Sequence, residues 1–239
     1  MKSAQWLLLM YLLAFSLFPA VRNSPVVEKY RPEELKPGKE ETGIITLFTT
    51  LLKLTLALVI LKLVGFKLRW IIDVAVFVTG YIFGDIFGVG FPMGLFLLAL
   101  RKSENVDLYN ISSALTIVFF SLIISRFVPT SAAILFIALL SLYDVIGVLY
   151  LPYIKFLWLK FSRINFDGVA IVSSDGFVGA GDYALPLLFS LSFGFFGLLS
   201  LPLFLLAFYL TSLLSRRFGA FPGLPLQAFF AYAFYLAFS

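Results

Sequence analysis

From Tyr183 to Ser239 the sequence holds no acidic residue and only two basic ones, Arg216 and Arg217. A stretch so poor in charge cannot make the surface of a water-soluble domain, in which about a quarter of residues are charged. The whole chain follows suit, with 13% charged and 61% hydrophobic residues, 29 Phe and a mean hydropathy of +1.02. Its charges fall in short clusters. The apolar runs between them are long enough to cross the ~30 Å of bilayer hydrocarbon as helices, or to enter it as helical hairpins. Alternating strands of the kind a membrane barrel needs are not visible. The reading is an all-α polytopic membrane protein built as a single membrane domain, 1–239.

Residues 4–20, apolar after Lys2, are expected to form a first span; a cleaved signal peptide ending near Phe18-Pro19-Ala20 is the alternative. Residues 22–43 are polar and proline-containing, an external aqueous loop, and 44–64 form a second span around Lys53. The Gly-rich GDIFGVGFPMG (84–94) predicts that 70–100 is a hairpin of two short helices rather than one long one. Lys62, Lys67 and Arg69 before it and Arg101-Lys102 after it then share a face of the membrane, as the positive-inside rule prefers. Further spans are expected at 111–127, 131–151, 177–197, 198–214 and 220–238. That makes about nine crossings, multi-pass in the cell membrane, with the N-terminus cytoplasmic and the C-terminus extracellular. Eleven of the 18 Lys and Arg then lie on the cytoplasmic side. The segment 152–176 becomes a cytoplasmic loop, with a short strand at Val169–Val172.

The net charge of +5 comes from these loops, so it sets orientation and implies no nucleic-acid partner. The chain has neither Cys nor His. A Ser-His or Cys-His hydrolase is therefore excluded, as is a thiolate or histidine-containing zinc site. Any hydrolysis must rest on carboxylates, Lys, Ser or Tyr.

Four aspartates lie in or beside the apolar spans: Asp73, Asp85, Asp144 and Asp182. An acid near the bilayer centre costs roughly 2.5–3.5 kcal/mol, which makes each one a functional hypothesis. Asp73 at a span start and Asp85 at a turn are expected to reach the aqueous interface. Asp144 is expected about 10 Å from the end of its span at Leu151, and Asp182 about 7–8 Å from a span start at Phe177. Those helices are consecutive and antiparallel, so the two acids can meet at one level. Two such carboxylates in a poorly solvated site hold one proton between them. The ionised acid can activate water while the protonated one polarises a peptide carbonyl. On the residues alone, a protease, a proton-coupled transporter or ion-leak channel, and a structural lock all remain open. Gly179, Ala180 and Gly181 leave room for a neighbouring backbone beside Asp182. Tyr143 precedes Asp144, and Pro222 and Pro225 leave unpaired backbone groups before the last span.

Three of these elements resemble the aspartyl intramembrane proteases of the presenilin and signal peptide peptidase group. That family has Tyr-Asp in its sixth span, Gly-x-Gly-Asp in its seventh and Pro-Ala-Leu before its ninth. The matching residues here are Tyr143-Asp144, Gly179-Ala180-Gly181-Asp182 and Pro222-Gly223-Leu224, with Gly223 standing where the family has Ala. The resemblance covers 131–238; the N-terminal helices, 1–130, match in topology alone. Lys155, Lys160 and Arg163 put the connecting loop on the cytoplasmic side, as in presenilins, whereas signal peptide peptidases are inverted. The short loop is similar to that of a small microbial, archaeal homologue. The resemblance implies a presenilin-like fold with Asp144 and Asp182 as the catalytic pair. It further implies a substrate groove shaped by Tyr143, Gly179, Ala180, Gly181, Pro222, Gly223 and Leu224. The implied substrates are single transmembrane helices. No metal or cofactor is called for, membrane lipid is the surrounding partner, and a homo-oligomer is compatible with it.

Overall fold

The structure is a computed structural model and describes residues 2–31, 68–145, 169–174, 176–218 and 222–238. The expected span 44–64 with Lys53, most of the loop 22–43, and residues 146–168 lie outside the described residues. The elements in chain order are α1 (Ser3–Arg22), α2 (Pro25–Lys29), α3 (Leu68–Asp85), α4 (Gly90–Arg101), α5 (Val106–Ser125) and α6 (Thr130–Val145). They are followed by β1 (Ala170–Ser173), β2 (Gly176–Gly179), α7 (Ala180–Ser192), a 3-10 segment (Gly194–Ser200), α8 (Leu201–Phe218) and α9 (Leu224–Phe238). The protein is mostly helical. Among the described residues, Ser3–Arg22, Val106–Ser125 and Gly194–Ser215 are long and apolar enough to cross a membrane.

These helices are hydrophobic all round, as bilayer-embedded helices are. Along α1, Leu7, Met10, Ala14, Phe18 and Val21 are buried at helical spacing, yet Leu8, Leu9 and Leu12 on the opposite face are exposed. Phe91, Phe96, Phe196, Phe229, Leu236 and Phe238 also point outward. The interior, by contrast, carries polar groups. Central α5 packs against α1, α3, α4, α7 and β1, and buries Asn110, Ser112, Ser113, Thr116 and Ser121. Ser112 Oγ donates to Leu97 O at 2.8 Å, and Ser121 Oγ to Ala184 O at 3.3 Å. Without water between helices, small hydroxyl residues serve both as close-packing surface and as cross-links.

Residues 70–100 form a helical hairpin. Its turn uses Gly88 at φ 72, the left-handed region that glycine enters without penalty. The two arms touch backbone to backbone, because a Cβ on Gly84 would lie 2.6 Å from Met93 Cβ and one on Gly94 2.8 Å from Phe77 O. At the open end Arg101 Nε meets Asp73 Oδ1 at 2.9 Å and Lys102 Nζ lies 3.5 Å from Asp73 Oδ2. This corrects the expectation that Asp73 reaches the aqueous interface. Asp73 is buried, since the antiparallel return of α4 brings a buried Arg101 to its level. Asp85 does sit at the turn, where it accepts the Tyr30 hydroxyl at 2.8 Å.

A second correction concerns the start of the Asp182 helix. Residues 176–179, read as the beginning of a helical span, are a strand paired antiparallel with β1, Ala170 opposite Gly179 and Ser173 opposite Gly176. Gly176 and Gly179 lower helix propensity at both ends of the segment, and β1 supplies a partner ladder. The first strand falls at 170–173, one residue beyond the expected 169–172.

Candidate active site

Asp182 is the third residue of α7, whose N-cap is Gly179 in extended conformation. From there its carboxylate lies back toward the N-cap, with Oδ2 3.8 Å from a Cβ position on Gly179. The spacing Gly-x-Gly-Asp therefore has a local geometric reason: the acid stands three residues after the N-cap, facing donors that the helix itself leaves unpaired. Asp144 lies in the last turn of α6 as described and approaches the start of α9. The Leu224 N–H, a first-turn donor without a helical acceptor, donates to Asp144 Oδ2 at 3.2 Å.

Both acids thus lean on the same dipeptide. A Cβ on Gly223 would lie 3.2 Å from Asp182 Oδ1, while the amide of the next residue holds Asp144. Two contacts to adjacent residues confine these two carboxylate oxygens to within about 10 Å of each other, from covalent geometry alone. Among the described residues neither acid has a cationic partner.

The remaining residues singled out from the sequence fall around this pair. Pro222 is buried, and Gly223 and Leu224 are half-buried at the entry to α9. A Cβ at Gly179 would meet Asp182 Oδ2 at 3.8 Å, an ordinary contact. Among the described residues nothing lies within 4 Å of a Cβ on Gly181, so they leave the space beside it open. Ala180 packs against the hydrophobic core. The Tyr143 side chain lies outside what the structure describes.

Three polar residues near the site were not singled out from the sequence. Asn110 of α5 clamps β1: its Nδ2 donates to Val172 O at 2.7 Å and its Oδ1 accepts the Val172 N–H at 2.9 Å. Thr211 of α8 has its Cγ2 3.3 Å from a Gly223 Cβ position, and its Oγ1 is buried without a partner among the described residues. Gln227 of α9 donates from Nε2 to the backbone O of Asp182 at 3.2 Å. A polar residue inside an apolar run was the only signal available for Thr211 and Gln227.

No protein-family model matches the chain, and no curated protein matches it either.

Proposed function

We propose that the protein is a hydrolase of the aspartyl class that works inside the membrane. More particularly, we propose a presenilin-like intramembrane endopeptidase with Asp144 and Asp182 as its general base and acid. The observation that carries this reading is the shared seat of the two acids. Asp144 and Asp182 come from different helices, converge on Gly223–Leu224 and have no cationic partner among the described residues. A pair of this kind holds one proton, and that is the state a two-carboxylate hydrolysis requires. Asp144, accepting an amide N–H at a helix N-terminus, is placed to carry the charge and to take a proton from water. Asp182 then polarises the scissile carbonyl and later protonates the leaving amine. The open space beside Gly181 leaves room for the peptide bond to approach.

The proposed arrangement has nine crossings in the cell membrane, with the N-terminus cytoplasmic and the C-terminus outside. The substrate is a transmembrane helix, which must unwind before water can reach its carbonyls. A strand edge next to Asp182 favours such unwinding. Bonded and non-bonded pairs alternate in an antiparallel ladder. Ala180 N–H donates to Val169 O, so the Val172–Phe177 pair has its backbone groups facing outward. Asn110 already occupies those of Val172. The edge left for an unwound substrate is therefore that of β2 at Phe177, not β1.

The test is cleavage of a single-span peptide by the purified protein in liposomes. Asp144→Ala and Asp182→Ala should each abolish product formation while the protein stays folded. Cutting by either variant would refute the mechanism. Acid-dependent ion flux without product peptides would instead establish the same acids as a transport relay.

A further inference from the structure

Pro186 lies inside α7, four residues after Asp182. In a regular helix the N–H of residue 186 would donate to the carbonyl of residue 182. Proline has no N–H, so the Asp182 carbonyl loses its helical partner. Another helix makes up the loss: Gln227 Nε2 donates to Asp182 O at 3.2 Å. Gln227 is only 2% exposed, and burying an amide is costly unless it is hydrogen-bonded. Its Oε1 has no partner among the described residues, so the protein contact its side chain makes is this one through Nε2. The Gln227 backbone N–H points toward Gly223 O at 3.5 Å. One residue therefore touches the backbone of one acid and the dipeptide that holds the other.

We propose that Gln227 is a positioning residue for Asp182: its side-chain amide replaces the donor that Pro186 withholds and fixes the first turn of α7 against the start of α9. The kinetic part rests on the protease reading; the structural part does not. The chemistry makes the dependence conditional. Any residue other than proline at 186 supplies the missing N–H from within α7 and frees Asp182 from Gln227.

The experiment is a double-mutant cycle on the full chain in detergent and in liposomes. It uses Gln227→Met, which keeps the length and removes the amide, together with Pro186→Ala, and Pro186→Leu as a second donor-restoring variant. Two quantities are read: the thermal unfolding midpoint, which needs no activity, and kcat and KM on a single-span peptide. In the Pro186 background Q227M should lower the midpoint by roughly 2–4 °C. It should also lower kcat by about tenfold with KM changed less than about twofold, the signature of a misplaced acid rather than lost binding. In either donor-restoring background both effects should shrink to a third or less. Equal effects of Q227M in all backgrounds would overturn the proposal, whatever their size. Thermal coupling in a protein that cuts nothing would keep the Gln227–Asp182 link and refute the protease. Cleavage with additive effects would do the reverse.

Discussion

The α3–α4 hairpin and the α6–α7–α9 junction each hold aspartate among apolar helices, buried in the first and half-buried in the second, and they treat it in opposite ways. In the hairpin, Asp73 is met by Arg101 at 2.9 Å and Lys102 at 3.5 Å, and Arg101 lies over the Tyr109 ring. At the junction, among the described residues, Asp144 accepts the Leu224 amide, Asp182 Oδ1 lies 3.2 Å from a Cβ position on Gly223, and neither acid has a cationic partner. Under the proposed function, the two acids without a cationic partner among the described residues retain a proton between them, and that proton is available for chemistry. Partner identity and burial both separate Asp73 from Asp144 and Asp182, the pair to which the proposed function gives the chemistry.

The sharpest way to break this contrast is to remove each acid in turn. Loss of Asp144 or Asp182 should lower peptide cleavage by roughly 10³-fold or more, the scale of acid–base catalysis, with little change in unfolding temperature. Asp73→Ala should do the opposite. It strands a buried guanidinium and should cost about 3–5 kcal/mol of stability, while the molecules that remain folded keep their kcat. Denaturation in mixed micelles, combined with active-site titration, separates the two outcomes. If D73A reduces kcat as severely as D182A, the division between the two regions fails.

A pH series sharpens the same point. Cleavage that needs one proton on two carboxylates should follow a bell, falling on the acid side when both are protonated and on the alkaline side when neither is. A rate climbing steadily to pH 10 would contradict the shared proton.

A smaller effect is expected at Gly223, where the family pattern has alanine. The added methyl would stand 3.2 Å from Asp182 Oδ1 and 3.3 Å from Thr211 Cγ2, tighter than ordinary contacts. Thr211 thus fills the room that an alanine would take. Gly223→Ala should reduce kcat several-fold, about 1 kcal/mol in barrier. Adding Thr211→Ser, which deletes the crowding methyl, should recover most of it. Failure of T211S to help would show that the two sites do not share that space.

The least consequence is foreseen at the hairpin turn. The bond that the Tyr30 hydroxyl donates to Asp85 is the main cause that lifts its pKa from 10.0 to about 12. Its folded value is above the unfolded one, so the bond's contribution is whole below pH ~10 and disappears as pH rises to about 12. Tyr30→Phe should cost about 1 kcal/mol or less, and should erase that alkaline segment of the stability curve.

How far the sequence alone reached can be judged from particular residues. Gly88 and its neighbouring glycines announced the helical turn, because backbone freedom and close approach are local properties of glycine. The spacing of Asp144 and Asp182 raised the expectation that they could meet, on the reading that their two spans run antiparallel. The strand at 176–179 was missed, because Gly-Phe-Val-Gly has no marked preference until a partner strand lies beside it. The burial of Asp73 was missed for a related reason. Its partner lies 28 residues away, and only the rotation of two packed helices decides whether their charged side chains face each other.

Composition settled the solvent of this protein: so few charges on so much apolar chain leave a bilayer as the medium that lowers its free energy. Spacing named Asp144 and Asp182 as acids that could approach each other. The tertiary structure alone decided which aspartate received a cation and which received amides. It also decided that the carbonyl left unpaired by Pro186 would be met by Gln227, because hydrogen bonds between helices depend on angles and offsets that no local stretch of sequence encodes.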